Sequence, residues 1–311
     1  MTLYFTHDAC IAHDMGPMHP ERPARLEALN AAFAMAAFDD LERREAPLAT
    51  VDQIARMHPR DHVERVLASV PESGLVQLDG DTSMSPGSGE AALRAVGGVC
   101  AAVDAVIGGE ATNAFCAGRP PGHHAEPETP MGFCLFNNVA IAAAHARAVY
   151  GLKRVAVMDF DVHHGNGTQA MFWNEPDLMF ASTHQMPLYP GTGSRQEHGA
   201  HGTIINAPLP GGADGEAFRA EMTKIILPAL DAFAPELLII SAGFDAHADD
   251  PLAGLCFVED DYAWATEALM EIAARHAGGR VVSSLEGGYD LDALAASAAA
   301  HVRVLMRERA D

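Results

Sequence analysis

Ten consecutive residues, Asp159 to Thr168 (DFDVHHGNGT), carry a dense group of side chains that can bind a metal. They follow Arg154–Met158 (RVAVM), whose apolar and β-branched residues are typical of a buried parallel strand. Asp161 and His163 are two positions apart, so in an extended segment both side chains leave the same face and can reach one ion. A carboxylate with an imidazole suits zinc or a similar metal. The alternative interpretation is a polar loop in which Asp and His cluster by accident.

Four further apolar runs also end in polar or ionisable side chains. They are Thr112–Ala117 before Arg119–Glu126 (RPPGHHAE), Leu178–Ala181 before Ser182-Thr183-His184, Leu237–Ile240 before Ser241–His247 (SAGFDAH), and Val281–Leu285 before Glu286–Asp290 (EGGYD). Open α/β sheets bind their ligands in the crevice beyond the carboxyl ends of the strands. We therefore expect all of these segments to meet at one edge of a sheet.

The third metal ligand has to come from one of these other segments. A catalytic zinc usually keeps three protein ligands and leaves one position open. Asp161 and His163 supply two, and Asp245 is the predicted third because it follows an apolar run and a glycine. His247 is a competing candidate at the same strand end. Such a set is compatible with zinc, iron or cobalt, since affinity order alone does not select the metal.

Two adjacent histidines, His123 and His124, are predicted to transfer protons. Each imidazole needs a partner on its far nitrogen, and Asp159 and Asn166 flank the candidate ligands at suitable positions. An Asp partner raises the basicity of its histidine, whereas an Asn partner orients the ring without charge. Tyr289 follows two glycines and is placed to donate a hydrogen bond to an oxyanion. These residues together predict metal-assisted hydrolysis of an amide or ester.

The elements that must position these side chains follow an alternating pattern. Alanine-rich segments with a helical period alternate with the short apolar runs, which is typical of repeated βαβ units. The predicted helices are Ala24–Ala37, Ala91–Ile107, Val139–Tyr150, Tyr262–Ala277 and Leu291–Arg309. The chain has 311 residues, of which 49% are hydrophobic, and no shift in composition divides it. We therefore predict one α/β domain over residues 1–311.

The charge and cysteine content limit the possible partners. A formal net charge of −22 argues against binding to nucleic-acid phosphates and favours the approach of a cationic substrate. The 5 cysteines include no Cys-x-x-Cys pair, which indicates neither a disulfide framework nor a thiolate zinc site. The N-terminal residues lack a basic leader, and no apolar run reaches the roughly 18 residues that a membrane span needs. We expect a soluble, cytoplasmic protein, and its oligomeric state stays open.

Taken together, these motifs resemble the zinc-dependent histone deacetylase family, specifically its class II-like bacterial branch. The similar segments run in family order from about residue 7 to 290 and are HPERPARL (His19–Leu26), RPPGHHAE, GFCLFNN (Gly132–Asn138), DFDVHHGNGT, YPGTG (Tyr189–Gly193), SAGFDAHADDPL (Ser241–Leu252) and LEGGYD. The resemblance implies the arginase/deacetylase fold, which is a mostly parallel eight-stranded sheet flanked by helices on both faces. It also implies one zinc ion per chain and a structural potassium ion.

The resemblance assigns roles to individual residues. It implies zinc binding by Asp161, His163 and Asp245, an acid/base pair of His123 and His124 held by Asp159 and Asn166, and carbonyl polarisation by Tyr289. It implies a narrow acyl-lysine channel with Gly132, Phe133, Tyr189 and Leu252, an exit cavity for the released acid beside Arg22, and potassium binding by Asp159, Asp161, His163 and Ser182. Asp81 and Thr82 lie in a Gly/Ser/Pro-rich loop, which we interpret as the rim that meets the substrate backbone or as a plain surface loop.

The substrate stays open at this point. Leu252 stands where polyamine-selective relatives often carry an acidic residue, which favours N-acyl-lysine side chains or similar amides over acetylpolyamines. Asn166 stands where class I members have Asp, which supports the class II-like assignment. Tyr289 is intact, which predicts catalysis rather than a low-turnover acyl-lysine reader. A two-manganese ureohydrolase shares the fold, but His247 and Asp249 only partly provide the additional bridging ligands that it needs.

Overall fold

The computed structural model describes residues 1–307, which fold around a central sheet of eight strands. The strands are β1 (Thr2–Thr6), β2 (Glu42–Glu45), β3 (Val76–Gln77), β4 (Ser83–Met84), β5 (Asn113–Cys116), β6 (Val155–Asp159), β7 (Leu178–Gln185), β8 (Ile204–Leu209), β9 (Leu237–Ala242) and β10 (Val281–Leu285). The central sheet has the order β2-β1-β5-β10-β9-β6-β7-β8, and all of its pairings are parallel. β3 and β4 form a separate antiparallel hairpin. The predicted eight-stranded α/β fold is thus confirmed.

Helices cover both faces of this sheet. They are α1 (Ala24–Phe33), α2 (Val51–Ile54), α3 (Arg60–Ala68), α4 (Ser88–Ile107), α5 (Asn138–Tyr150), α6 (Asn166–Phe172), α7 (Gly215–Glu221), α8 (Leu227–Phe233), α9 (Glu259–His276) and α10 (Leu291–Met306), with a π-helical turn at Met222–Ile226 between α7 and α8. Apolar residues of α1, α9 and α10 pack with one face of the sheet, and those of α4 and α5 pack with the other. Within residues 1–307, no helix is both long and apolar enough to cross a membrane.

The strand sequences are apolar on both faces because both faces are covered. Along β6, Ala156 and Met158 belong to the core beneath α9 and α10, whereas Val155 and Val157 belong to the core beneath α4 and α5. All four side chains are fully buried. Side chains alternate between the two faces of a strand, so a strand buried on both sides loses the polar positions that an exposed face would show.

The five strands that precede the candidate functional segments are neighbours in the sheet. β5, β10, β9, β6 and β7 follow one another in the sheet order, although they are widely separated in sequence. Because these strands are parallel, their carboxyl ends lie along one edge. This topology accounts for the expectation that their polar residues share a crevice.

Several predicted boundaries differ from those in the structure. β7 extends to Gln185 because its pairing with β8 continues to Leu209, so Ser182 and His184 lie within a strand and not after it. Asp159 is the last residue of β6. The predicted first helix ends at Phe33 and not at Ala37, since the chain turns into a short 3-10 helix that buries Phe38. The last two residues of the predicted final helix, 308 and 309, lie outside the described residues.

Buried His301 predicts a dependence of stability on pH. Its ring lies among the aromatic rings of Phe115, Phe160 and Phe244, and its nitrogens contact the hydroxyls of Thr266 (2.6 Å) and Ser283 (2.8 Å). Burial lowers the pKa of His301 to about 3. The unfolded state therefore takes up this proton near pH 6.5, before the folded state does, and stability is lost as the pH falls from there towards 3.

We expect the His301 contribution to fall by about 1.4 kcal/mol between pH 7.5 and pH 5.5. The measurement is guanidinium unfolding at both pH values for the unaltered protein and for His301→Gln. The variant is expected to be less stable at pH 7.5 but to lose about 1.4 kcal/mol less on acidification. Equal losses in the two proteins would show that His301 does not titrate on unfolding.

Candidate active site

Asp161, His163 and Asp245 meet at the carboxyl edge of the sheet. One ligand-capable atom from each residue lies within 4.8 Å of those of the other two, and all three side chains are buried. The His163 Nδ1 atom is 3.1 Å from Asp161 Oδ1 and 3.1 Å from Asp245 Oδ2. The predicted ligand set is therefore brought together, and three converging donors of these types are able to hold one divalent cation.

Backbone amides fix the two carboxylates of this cluster. The N–H of Gly287 donates to Asp161 Oδ2 at 2.8 Å, and the N–H of Val162 donates to Asp245 Oδ1 at 2.8 Å. Each carboxylate keeps its other oxygen towards His163. His247, the competing candidate, lies elsewhere: its ring faces Asp249 and Glu259, each 3.8 Å away.

His123 and His124 stack beside this cluster with ring centroids 4.0 Å apart. The Nδ1 atom of His123 is 2.9 Å from Asp159 Oδ2, and the Nδ1 atom of His124 is 2.7 Å from Asn166 Oδ1. The predicted pairing of each histidine with its partner is thus present in the structure. The Nε2 atom of His123 lies 3.9 Å from Asp161 Oδ1, so this histidine faces the candidate ligands.

The two histidines differ in their electrostatic surroundings. Burial alone lowers the pKa of His123, but the carboxylates of Asp161 and Asp159 outweigh it and raise this pKa to about 10. Burial and the neighbouring imidazoles of His123 and His163 hold the pKa of His124 well below its usual range. The surroundings of His123 thus favour its cationic form, and those of His124 favour its neutral form.

A narrow cavity of about 180 Å³ leads from the surface to the candidate ligands. Its wall contains most of the predicted channel residues and one residue that sequence reasoning missed, Leu188. The lining residues are Asp81, His124, Gly132, Phe133, His163, Leu188, Tyr189, Leu252 and Tyr289. Gly132 has a φ of +57°, and a Cβ on it would lie 2.4 Å from His124 Cδ2, so only glycine allows the wall to approach the histidine this closely.

Thr82 does not reach the rim, contrary to the prediction. Its side chain is fully buried, and its hydroxyl accepts the N–H of Phe133 at 2.9 Å. Asp81 does line the cavity, but its Oδ1 atom accepts the N–H of Gly132 at 3.0 Å and the hydroxyl of Thr82 at 2.8 Å. Both residues therefore hold the turn at Gly132 and Phe133 in place.

Tyr289 reaches the cavity from the segment after β10, with its ring 5.8 Å from that of Phe133. Burial raises the pKa of its phenol well above the usual range, so the hydroxyl remains a hydrogen-bond donor. The guanidinium of Arg25 lies 4.8 Å from the centre of the same ring. The N–H of Tyr289 donates to Asp250 Oδ2 at 2.7 Å, which fixes the backbone at this position.

Arg25, and not the predicted Arg22, is the interior arginine. Arg22 is exposed, whereas Arg25 is fully buried and donates to the backbone oxygens of Gly288 (2.6 Å) and Glu286 (2.5 Å). The buried carboxylate of Glu21 pairs with Arg25. Arg22 precedes α1, whereas Arg25 lies in its first turn, against the segment that follows β10.

Glu286 is a buried carboxylate that sequence reasoning missed. Its Oε2 atom accepts the N–H groups of Gly122 (2.6 Å) and His123 (3.1 Å), and it therefore positions the loop that carries both histidines. Burial raises the pKa of Glu286 to about 7. The motif LEGGYD indicates this buried role in the sequence, because a glutamate directly after the apolar run of β10 needs a buried hydrogen-bond partner.

A sequence model of the histone deacetylase domain matches residues 19–305, which is most of the chain. This chain belongs to the histone deacetylase family. It is 40% identical over 326 residues to "Histone deacetylase 14, chloroplastic" of Arabidopsis thaliana, covering 98% of this chain and 77% of the relative. It is 39% identical over 312 residues to the histone deacetylase-like amidohydrolase of Pseudomonas aeruginosa, covering 93% and 81%. A probable deacetylase of Archaeoglobus fulgidus is 37% identical over 292 residues, covering 92% and 80%.

A solved structure shows the same architecture. The crystal structure of the HDA15 HD domain superposes with a TM-score of 0.93 at 34% identity, covering 98% of this chain and 87% of that domain. The eight-stranded parallel sheet flanked by helices is therefore the arginase/deacetylase fold. Membership of this family identifies the chain as a hydrolase that acts on amides. None of the three relatives named above is a ureohydrolase.

Proposed function

We propose that this deacetylase domain, spanning residues 1–311, is a zinc-dependent amidohydrolase that removes acetyl or other acyl groups from N-acyl-lysine side chains. The observation that carries the proposal is the narrow cavity, which ends at His163 of the candidate ligand set and at His124. A long side chain with a terminal amide fits such a channel, because its stem contacts the wall while the amide reaches the polar end.

The donor set of Asp161, His163 and Asp245 fits a zinc ion. Two carboxylates and one imidazole leave the open position that a catalytic zinc requires. Burial and the nearby Asp161 carboxylate raise the pKa of Asp245 to about 7, and a divalent cation would balance these two buried acids. When bound, zinc would polarise the amide carbonyl and activate a water molecule.

The proton transfers fall to His124 in this proposal. An amide oxygen only accepts hydrogen bonds, so His124 carries its hydrogen on Nδ1, towards Asn166, and keeps a free lone pair on Nε2. This Nε2 atom accepts the proton of the attacking water and returns it to the nitrogen of the departing amine. His123, paired with Asp159, contributes positive charge, and the Tyr289 hydroxyl donates to the carbonyl oxygen as that atom becomes negative.

A structural potassium ion is a further proposal. Asp159 and Ser182 are directly paired across β6 and β7, which places Ser182 beside the segment that carries Asp161 and His163. Oxygen ligands from Asp159, Asp161, His163 and Ser182 would suit a hard monovalent cation. A cytoplasmic location remains a prediction from the sequence.

Leu252 favours acyl-lysine over acetylpolyamine substrates. It lines the cavity and presents no charge to a distant ammonium group. One observation supports acetylpolyamines as the second candidate. Burial raises the pKa of Tyr189, and the nearby carboxylates of Asp81, Asp79 and Glu126 raise this pKa further. A negative potential at the mouth would attract any cationic amine.

Rates on four substrates test this choice. We expect zinc-loaded protein to have a higher kcat/KM for an acetyl-lysine peptide and a longer acyl-lysine peptide than for acetylputrescine and acetylspermidine. Leu252→Glu is expected to shift the ratio about 5-fold towards acetylspermidine, since one well-placed charge contributes about 1 kcal/mol at a partly exposed site. Leu252→Gln, which is neutral and of the same size as Glu, is the control. Preference of the unaltered protein for acetylspermidine would establish the second candidate instead.

A further inference from the structure

The side-chain amide of Asn166 lies between the imidazole of His124 and the carboxylate of Glu126. Its Oδ1 atom is 2.7 Å from His124 Nδ1, and its Nδ2 atom donates to Glu126 Oε1 at 2.8 Å. Longer contacts of Nδ2 reach the backbone oxygen of His124 (3.5 Å) and the sulfur of Met131 (3.4 Å). An amide has nearly the same shape in both orientations, so its hydrogen-bond partners decide which end faces which group.

Glu126 is the partner that determines the orientation of the Asn166 amide. A carboxylate only accepts hydrogen bonds, so it requires the N–H₂ end of Asn166. In the reversed orientation the amide oxygen would face the carboxylate, and two acceptors would meet without a hydrogen between them. A hydrogen bond to a charged group is also stronger than one between neutral groups. We propose that Glu126 is a positioning residue that sets the tautomer of His124 by fixing the orientation of Asn166.

The tautomer determines whether His124 is able to act as a base. With the Asn166 oxygen towards it, His124 carries its hydrogen on Nδ1 and has a lone pair on Nε2. With the amide reversed, the N–H₂ group would donate to Nδ1, and the hydrogen of the neutral ring would move to Nε2. That form has no lone pair on Nε2 with which to accept a proton from water. This consequence rests on the proposed function.

His123 does not need a third residue of this kind. Its partner Asp159 presents a carboxylate, which accepts a hydrogen bond in either orientation. The backbone of Glu126 is held independently of its side chain, because its N–H donates to the backbone oxygen of Thr129 at 3.0 Å and its own backbone oxygen accepts in return at 3.4 Å. A side-chain substitution at Glu126 therefore removes the acceptor while the turn is retained.

The test measures the rates of single and double variants on an acetyl-lysine peptide. Glu126→Leu removes the acceptor and is expected to lower kcat about 10- to 100-fold with KM within about 2-fold, which is part of the 10²- to 10⁴-fold contribution of a general base. Glu126→Gln can present either its oxygen or its N–H₂ group, so it no longer excludes the reversed orientation of Asn166, and it is expected to cause a smaller loss of kcat than Glu126→Leu. Glu128→Leu, in the same loop but exposed, is the matched control and is expected to have no effect. Glu126→Met replaces Glu126→Leu if the latter does not fold.

The deciding variant is Asn166→Asp. Its carboxylate accepts from His124 in either orientation, so Glu126 loses its role and is expected to repel the introduced charge. We expect Glu126→Leu to have no effect, or to raise kcat, when combined with Asn166→Asp. An equal loss of kcat in both backgrounds would overturn the proposal, because a purely structural role of Glu126 is additive.

Nitrogen NMR of histidine-labelled protein gives a readout that does not depend on turnover. The nitrogen shifts of His124, assigned by comparison with His124→Ala, are expected to show hydrogen on Nδ1 in the unaltered protein and a mixture of tautomers in Glu126→Leu. Unchanged shifts in Glu126→Leu would overturn the proposal. If the tautomer responds as expected but no acyl amide is hydrolysed by the unaltered protein, the positioning role stands and the proposed function fails.

Discussion

Replacing Asp245 with alanine is expected to abolish zinc binding and to lower kcat/KM for an acyl-lysine peptide by about 10³-fold or more, which matches the several kcal/mol that a metal contributes to such reactions. Asp245 Oδ2 is 3.1 Å from His163 Nδ1, so the substitution removes one of three converging donors. It also leaves the N–H of Val162 without its acceptor. Zinc content by mass spectrometry and steady-state rates, each measured after reconstitution, check both parts of the expectation.

A matched control lies four residues further along the chain. Asp249 is an acid of the same type, but its side chain is 76% exposed, and it stands outside the ligand set. Asp249→Ala is expected to leave zinc content and rate unchanged. Full zinc occupancy in Asp245→Ala would remove Asp245 from the site, and His247 would then have to be tested in the same way.

Replacing Tyr289 with phenylalanine is expected to lower kcat by about 10²- to 10³-fold, the usual loss when one oxyanion donor is removed. KM is expected to change little, because the hydroxyl acts on charge that develops only in the transition state. The ring keeps its contacts with Phe133 and Arg25, so the fold should persist. Steady-state kinetics on the acetyl-lysine peptide, with zinc content as a check on the site, measure this loss.

Tyr262→Phe is the matched control for this substitution. Tyr262 is fully buried, and its hydroxyl has no hydrogen-bond partner among the described residues. Its removal is expected to leave kcat unchanged and to maintain or raise the free energy of unfolding. If Tyr289→Phe retained the full rate, the chain would use a different group to stabilise the carbonyl oxygen.

The sequence predicted the ends of the central strands well because those strands are buried on both faces. Their runs of apolar residues stop abruptly, and the residues that follow include Asp161, His163, Asp245 and Tyr289. Asp161 and His163 do not lie in an extended strand as predicted, since the chain bends at both residues. They converge because the Asp161 carboxylate accepts the N–H of His163 at 2.9 Å.

Other features depend on contacts that no local pattern records. The strands β1, β2 and β8 lie towards the edges of the sheet, and β2 (ERRE) has charged residues throughout, so it shows no apolar run. Arg25 is buried because the first turn of α1 packs against the segment from Glu286 to Gly288, whereas Arg22 precedes the helix. Thr82 resembles a surface residue in its Gly/Ser/Pro-rich loop, yet the turn at Phe133 covers it completely.

The wall of the cavity is built from connections between elements, and two of these connections also supply residues of its inner end. The candidate metal ligands stand just after β6 and β9, where the paired strands and buried amides hold them. The wall residues Asp81, Phe133, Tyr189 and Leu252 come from four separate connections between elements. The connection with Phe133 also carries His123 and His124, and the connection with Leu252 also carries Asp245. Randomising the wall for new acyl amides therefore has to treat the Asp81 loop and the turn at Phe133 as one unit, because hydrogen bonds join them, whereas the Tyr189 loop can be varied by itself.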